Sequence, residues 1–406
     1  MNNPQKLSTS LRSQAHACTV LLALVAALGC STTDSPPGTG GSDWTLQSGG
    51  NASITGGSLL TGGSLLPTSG GLQNSSGGSL IGATGGASTT GGVSTTGGTN
   101  TGTGGAVDSG VDASIDAGIT GPLPNFVGNI TTNFAVRDGF AMYWDQITPE
   151  NEGKWGSVQP SSQSNFNWDA LDAIYAYAQA NNIIFKEHTF VWGSQQPGWV
   201  NAGNAESAVK GWMQAFCDRY PETKLIDVVN EPPPHTTPAY IDGMGGTGAS
   251  GYDWIVNAFK WAREACPNAI LILNDYNTIE YGNDNSHFID IVNKIVAAGA
   301  PIDAIGAQAH AAHSVQTSVV KGYIDNLAAT GLPVYITEYD IDEADDNKQQ
   351  MIMQEQITMF RDHPAIKGIT LWGYIVGHTW QTNSGIQYDD NTMRPAMSWL
   401  MSYLGR

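Results

Sequence analysis

The chain has 406 residues, with 17 Lys plus Arg against 36 Asp plus Glu, a net charge of −19. Binding to nucleic acid needs a basic footprint that displaces counterions, and this balance excludes it. An acidic chain that also carries 12 tryptophans suits a neutral polymer such as a polysaccharide.

Residues 1–17 hold Lys6 and Arg12 but no acid, and "CTVLLALVAALG" (18–29) is apolar yet too short to span a bilayer comfortably. Residues 1–30 therefore read as an export signal. It ends at Cys30 in "ALGC", which resembles the cleavage box of a bacterial lipoprotein, although Ala27 stands where that box usually has leucine. Lipidation of Cys30 is the reading, and an ordinary signal with an incidental cysteine is the alternative. Either way the protein is exported, as a cell-surface or outer-membrane lipoprotein or in secreted form, and meets a membrane only through that anchor. Residues 31–121 are made of Gly, Ser and Thr, with "TGGS", "TGGV" and "TGGT" recurring. So few apolar side chains cannot offset the entropy of ordering the segment, which reads as a disordered tether. A folded glycine-rich repeat competes poorly, because no regular period or aromatic position recurs.

Residues 122–406 are long enough for one large domain and hold every tryptophan except Trp44. Short β-branched runs predict eight strands: "FVGNI" (126), "DQITPEN" (145), "IIFKEHTFVWG" (183), "LIDVVNE" (225), "ILILNDYN" (270), "IDAIGAQAH" (302), "PVYITEYDI" (333) and "GITLWGY" (368). Stretches with helical spacing separate most of them, such as 168–182 and 288–299. Such alternation predicts an α/β fold, a (β/α)8 TIM barrel.

The strand ends carry the chemistry. In "KLIDVVNEPPP" (224–234) an apolar strand stops at Asn230 and Glu231, and three prolines that cannot continue a ladder follow at once. A carboxylate there is costly to desolvate, so the strand reads as stopping in order to hold Glu231 at its exit. Glu150, Asn151, His188, Asn274, Asp275, Gln308, His310, Glu338, Asp340 and Trp372 end other strands in the same way. Barrel enzymes build their sites at that face. Glu231 and Glu338 form the kind of carboxylate pair that hydrolyses a glycosidic bond, one protonating the leaving oxygen and the other attacking or stabilising the anomeric carbon. For either one alone, a rim salt bridge is the structural alternative.

Cys217 and Cys266 are an even pair in an exported domain, hence a candidate disulfide, with two free buried thiols as the alternative. Each lies shortly before a strand, which puts both at the N-terminal, non-catalytic face on neighbouring helices, and a bridge is the expectation. The histidines lack ligand spacing and no Cys-x-x-Cys occurs, so neither a metal nor a cofactor is expected.

From about residue 125 to the C-terminus the chain resembles glycoside hydrolase family 10, the endo-β-1,4-xylanases. "ITPENEGKW", "HTFVWGSQQPGW", "DVVNEP", "NDYN", "IGAQAH", "ITEYDI" and "LWGYIVGHTW" run in the family's order. The resemblance implies a retaining hydrolase that cleaves internal xylosidic bonds by double displacement, with Glu338 as nucleophile and Glu231 as acid/base. It gives Asn230 the sugar's 2-hydroxyl, and His310 the contact to Glu338 with Asp340 orienting it. Glu150, Asn151, Lys154, His188, Trp192 and Gln195 form the glycone-side set, joined by Gln308, and Trp372 and Trp380 wall the sugar next to the scissile bond. Core packing competes with sugar stacking for each tryptophan, more strongly for Trp155 and Trp212 than for Trp372. The implied partner is xylan or its oligosaccharides, met by a monomer.

Departures from the pattern bear on substrate detail. Gly193 replaces a histidine and is expected to widen the floor of the glycone side. Glu187 precedes His188 where glycine is common, Gly153 stands where methionine is usual, and Val376 holds a position often given to aspartate. A cellulase- or mannanase-type β-glycanase is the alternative enzyme, and a non-catalytic surface polysaccharide-binding protein the alternative from another class.

Overall fold

A computed structural model describes residues 125–406. The expected signal (1–30), Cys30 and the tether (31–121) lie outside the described residues. Eight parallel strands close into a barrel in chain order. They are β1 Phe126–Ile130, β2 Gln146–Thr148, β3 Ile184–Trp192, β4 Leu225–Asn230, β5 Ile270–Asp275, β6 Ala304–Ala307, β7 Val334–Tyr339 and β8 Ile366–Leu371. Seven fall inside the runs read from sequence, and β8 starts two residues before its run, at Ile366.

Around them lie α1 Trp155–Val158, α2 Asp169–Ala180, α3 Ala205–Arg219, α4 Asp253–Ala265, α5 Gly282–Ala297, α6 Thr317–Ala328, α7 Asp346–Asp362 and α8 Pro395–Leu404. The β1–β2 connection holds only a 3₁₀ turn, Phe140–Met142, so the first unit lacks its helix. α5 starts six residues before the apolar pattern at 288, because "GNDNSH" is mostly polar and buries only Asn285. Trp155 and Trp212 stack at 6.3 Å within the buried layer between strands and helices, so both are core residues.

The barrel interior changes character from bottom to top. At the N-terminal end Phe126, Ile184, Leu225, Ile272, Ala304 and Tyr335 form an apolar plug. Gly368 makes room for it: a Cβ there would meet the Phe126 ring at 2.3 Å. Above the plug the interior is polar, with Gln146 bonded to Thr148 (2.7 Å) and Thr370 (2.8 Å), and Lys186 set 2.7 Å from Asp227. Burying polar groups is costly unless they are paired in this way. At the same N-terminal end, outside the barrel, Cys217 in the last turn of α3 is disulfide-bonded to Cys266 at the C-terminus of α4, with Cα atoms 5.6 Å apart.

Candidate active site

Register sets the level of the site. Trp192, Asn230, Asn274 and Gly306 lie in one row across β3 to β6. Bulges in β3 and β4 re-aim the side chains above them, as bulges near sites commonly do. Gly306 is required: a Cβ there would sit 2.4 Å from Asn274 Oδ1. Free of that obstacle, Asn274 Nδ2 donates to Asn230 Oδ1 (2.8 Å) and, past β6, to Glu338 Oε1 (2.7 Å). Thr337 Oγ1 donates to Asn274 Oδ1 at 2.6 Å and fixes which way the amide points.

Glu338, near the end of β7, is 4 % exposed. His310 Nε2 lies 3.3 Å from its Oε2, while His310 Nδ1 lies 3.1 Å from Asp340 Oδ2. Burial pushes the Glu338 carboxyl up, but the His310 hydrogen bond and the charges of His188, His310 and Lys186 outweigh it and hold the group down at about 2. Burial likewise disfavours charge on His310, yet two carboxylates overcome it and raise the imidazole to about 10. His310 thus stands between the two acids, hydrogen-bonded to Asp340 and charge-paired with Glu338. A second support runs beneath: His188 Nδ1 bonds Asp227 Oδ2 at 2.9 Å, and the same ring nitrogen lies 4.0 Å from Glu338 Oε1.

Glu231, on the residue that leaves β4, has a left-handed backbone (φ 51°). Gln195 (φ 46°) and Ala309 (φ 69°), after β3 and β6, share this conformation, which is costly for residues other than glycine. Strain collected at one face marks that face as functional. Glu231 Oε2 accepts from Trp192 Nε1 at 2.8 Å, and its Oε1 from Asn230 Nδ2 (3.2 Å) and Gln308 Nε2 (3.3 Å).

Both glutamates open into one cavity of about 510 Å³. Its lining includes every candidate substrate residue read from sequence: Glu150, Asn151, Lys154, His188, Trp192, Gln195, Gln308, Trp372 and Trp380. Asp340 stands behind His310 and does not line it. Lys154 Nζ donates to Asn151 Oδ1 (2.9 Å) and lies 5.1 Å from the centre of the Trp192 ring. Burial lowers the Lys154 pKa against the pull of Glu338, Glu150, Glu231 and Glu152, and burial raises that of Glu150 against Lys154. Trp380 is 55 % exposed, but its Nε1 donates to Asp340 Oδ2 at 2.7 Å, so the indole is oriented.

Sequence reading missed several of these residues. Asn274 stands in the sequence as one rim residue among several, with nothing there to mark it as the link between Asn230 and Glu338. Tyr276 and Asn277 also line the cavity, and the motif "NDYN" is the signal that points to them. Gly193 also corrects an expectation: it does not widen the floor. A Cβ at 193 would meet Thr236 and Thr237 at 2.7 Å, so the loop after the three prolines fills the space.

The profile of "Glycosyl hydrolase family 10" matches residues 124–403. Endo-1,4-beta-xylanase B of Cellvibrio japonicus (strain Ueda107) is 48 % identical over 281 residues, covering 68 % of this chain and 45 % of that protein. The chain thus spans under half the length of that relative. Endo-1,4-beta-xylanase A of Caldicellulosiruptor saccharolyticus is 31 % identical over 276 residues, covering 61 % of this chain and 80 % of that one. The crystal structure of native xylanase 10B from Thermotoga maritima is similar in fold, with a TM-score of 0.61 at 23 % identity, over 69 % of this chain and 95 % of that one.

Proposed function

The chain belongs to glycosyl hydrolase family 10, and from that premise we propose that it cleaves internal β-1,4-xylosidic bonds of xylan with retention of anomeric configuration. Glu338 attacks the anomeric carbon as the bond to the leaving oxygen breaks, and Glu231 gives that oxygen its proton. The product is a glycosyl ester on Glu338. Water then attacks the same carbon, Glu231 takes a proton from it, and the Glu338 carboxylate leaves. His310 serves the first step by keeping Glu338 charged despite its burial. Asn230, pinned by Asn274, is placed to bind the sugar's 2-hydroxyl. Trp372 and Trp380 offer flat faces to the ring, and Lys154 and Asn151 bind hydroxyls on the glycone side.

The observation that carries this reading is the asymmetry of the pair. One carboxylate is buried, charge-paired and ionised, and the other is half-buried and held by neutral donors in the same cavity. Incubating the full chain with glucuronoxylan, arabinoxylan, carboxymethylcellulose and mannan tests it. Xylo-oligosaccharides that appear first as β-anomers by proton NMR are expected; cellulose or mannan products, or α-anomers first, would overturn it.

Residues 1–30 extend the proposal to an exported enzyme, lipidated at Cys30 and tethered through residues 31–121. The Cys217–Cys266 pair supports export, since such bonds persist in oxidising compartments. Palmitate labelling that is lost in C30A, and an unchanged melting temperature after trimming 31–121, are the expected results.

A further inference from the structure

His235 lies behind Tyr276, outside the residues that line the cavity. The two rings stack with centroids 3.8 Å apart and planes 16° from parallel. His235 Nδ1 is bonded to Asp275 Oδ1 at 2.7 Å, and the same oxygen accepts the backbone N–H of Tyr276 at 2.9 Å. Asp275 thus ties the imidazole to the backbone of the residue it stacks on.

The segment that carries His235 is itself pinned. Thr236 donates to the Glu231 carbonyl from its backbone N (3.1 Å) and its Oγ1 (2.7 Å). His287 Nε2 donates to the Pro233 carbonyl at 3.1 Å, and three consecutive prolines restrict the backbone before His235. One short loop therefore joins Glu231 to the back of Tyr276.

Glu231 protonates the oxygen of the departing chain. That chain must lie beyond Glu231, on the β4–β5 side and away from Glu150, Asn151 and Lys154. Tyr276 is the lining aromatic on that side. We propose that His235 is a positioning residue for the leaving-group side: it holds the Tyr276 ring in register with Glu231, so that the departing sugar stacks with its glycosidic oxygen within reach of the acid. The inference rests on the glycan-cleaving reading of the cavity.

Two substrates separate the effects. β-Xylobiosyl fluoride places only fluoride beyond Glu231, whereas xylopentaose places sugars there. In the full chain, H235A should lower kcat/KM on xylopentaose about fivefold to tenfold more than on the fluoride, the loss expected for one aromatic pair. In a Y276A background the H235A change should have no further effect on xylopentaose, because His235 acts through that ring. Should H235A fail to fold, H235Q keeps an amide donor for Asp275 without the ring and tests the same ratio. Equal losses on both substrates, or additive effects with Y276A, would overturn the proposal. Wild-type protein inert on both substrates would instead sink the xylanase reading.

Discussion

The Glu187 carboxylate occupies the space above Gly153: a Cβ at 153 would lie 2.7 Å from Glu187 Oε2. Two departures from the family's pattern are therefore one exchange. Where glycine is common the chain has a glutamate, and where methionine is usual it has a glycine that admits it. Glu187 is fully buried, and neither of its oxygens has a hydrogen-bond partner among the described residues.

Such an acid makes stability depend on pH. Burial, followed by the charge of Asp227, raises the Glu187 pKa well above normal, and burial raises Asp275 and Glu280 to about 7. Each stays neutral in the folded state up to its raised pKa but ionises near pH 4 when unfolded, so its contribution is present at low pH and lost as pH rises towards the folded value. Each costs about 1.4 kcal/mol per pH unit between its two pKa values. The melting temperature should fall from pH 5 to pH 8, and E187Q should flatten that slope. Parallel wild-type and E187Q profiles in differential scanning calorimetry would show that Glu187 does not titrate on unfolding.

On the proposed mechanism, His310 should set the acid limb of activity. With Glu338 held at about 2, the wild-type nucleophile stays charged through mildly acidic conditions. In H310N that support is gone while the burial remains, so the Glu338 pKa rises and activity fails at higher pH. The kcat/KM profile on an activated aryl xyloside reads this directly, and an unmoved acid limb would contradict it.

The two glutamates should respond differently to leaving groups. E338A should lose activity on every substrate. E231A should lose about 10²–10⁴-fold on xylan, the usual share of general acid catalysis. On aryl xylosides whose leaving groups need no proton, it should lose far less in the first step. Losses of equal size on both substrate types would refute the division of roles.

Removing the disulfide should separate stability from chemistry. C217A/C266A opens a loop with a sequence separation of 49, for which the bond contributes about 4 kcal/mol in the chain-entropy model. Urea unfolding should show a loss of that order while kcat/KM is retained. A large loss of kcat/KM in folded variant would mean that the helix ends are coupled to the cleft.

Strand positions were legible because parallel barrel strands are continuous apolar runs, and the chemistry interrupts those runs at their ends. Glu231, Glu338, His310 and Asp340 stand out for that reason. Asn274 does not, because its reach to Glu338 on β7 depends on the absent side chain at Gly306 on the strand between them. Gly193 misleads in the same way, and Gly153 is equally silent about its neighbour. A glycine leaves a space in sequence, and only the fold tells which neighbour fills it: Thr236 in one case, Glu187 in the other. His235 was hidden because a residue that acts from behind another has no signature of its own.

Trp380 gives its indole proton to the same Asp340 oxygen that orients His310. The Trp380 ring that lines the cavity and the charge of the proposed nucleophile are therefore linked through Asp340. A designer who varies position 380 to admit a bulkier sugar decoration also changes how firmly His310 is held, and with it the acidity at which Glu338 works. Libraries at that position should return altered pH optima together with altered specificity, and a compensating change for Asp340 is the natural second site to vary alongside it.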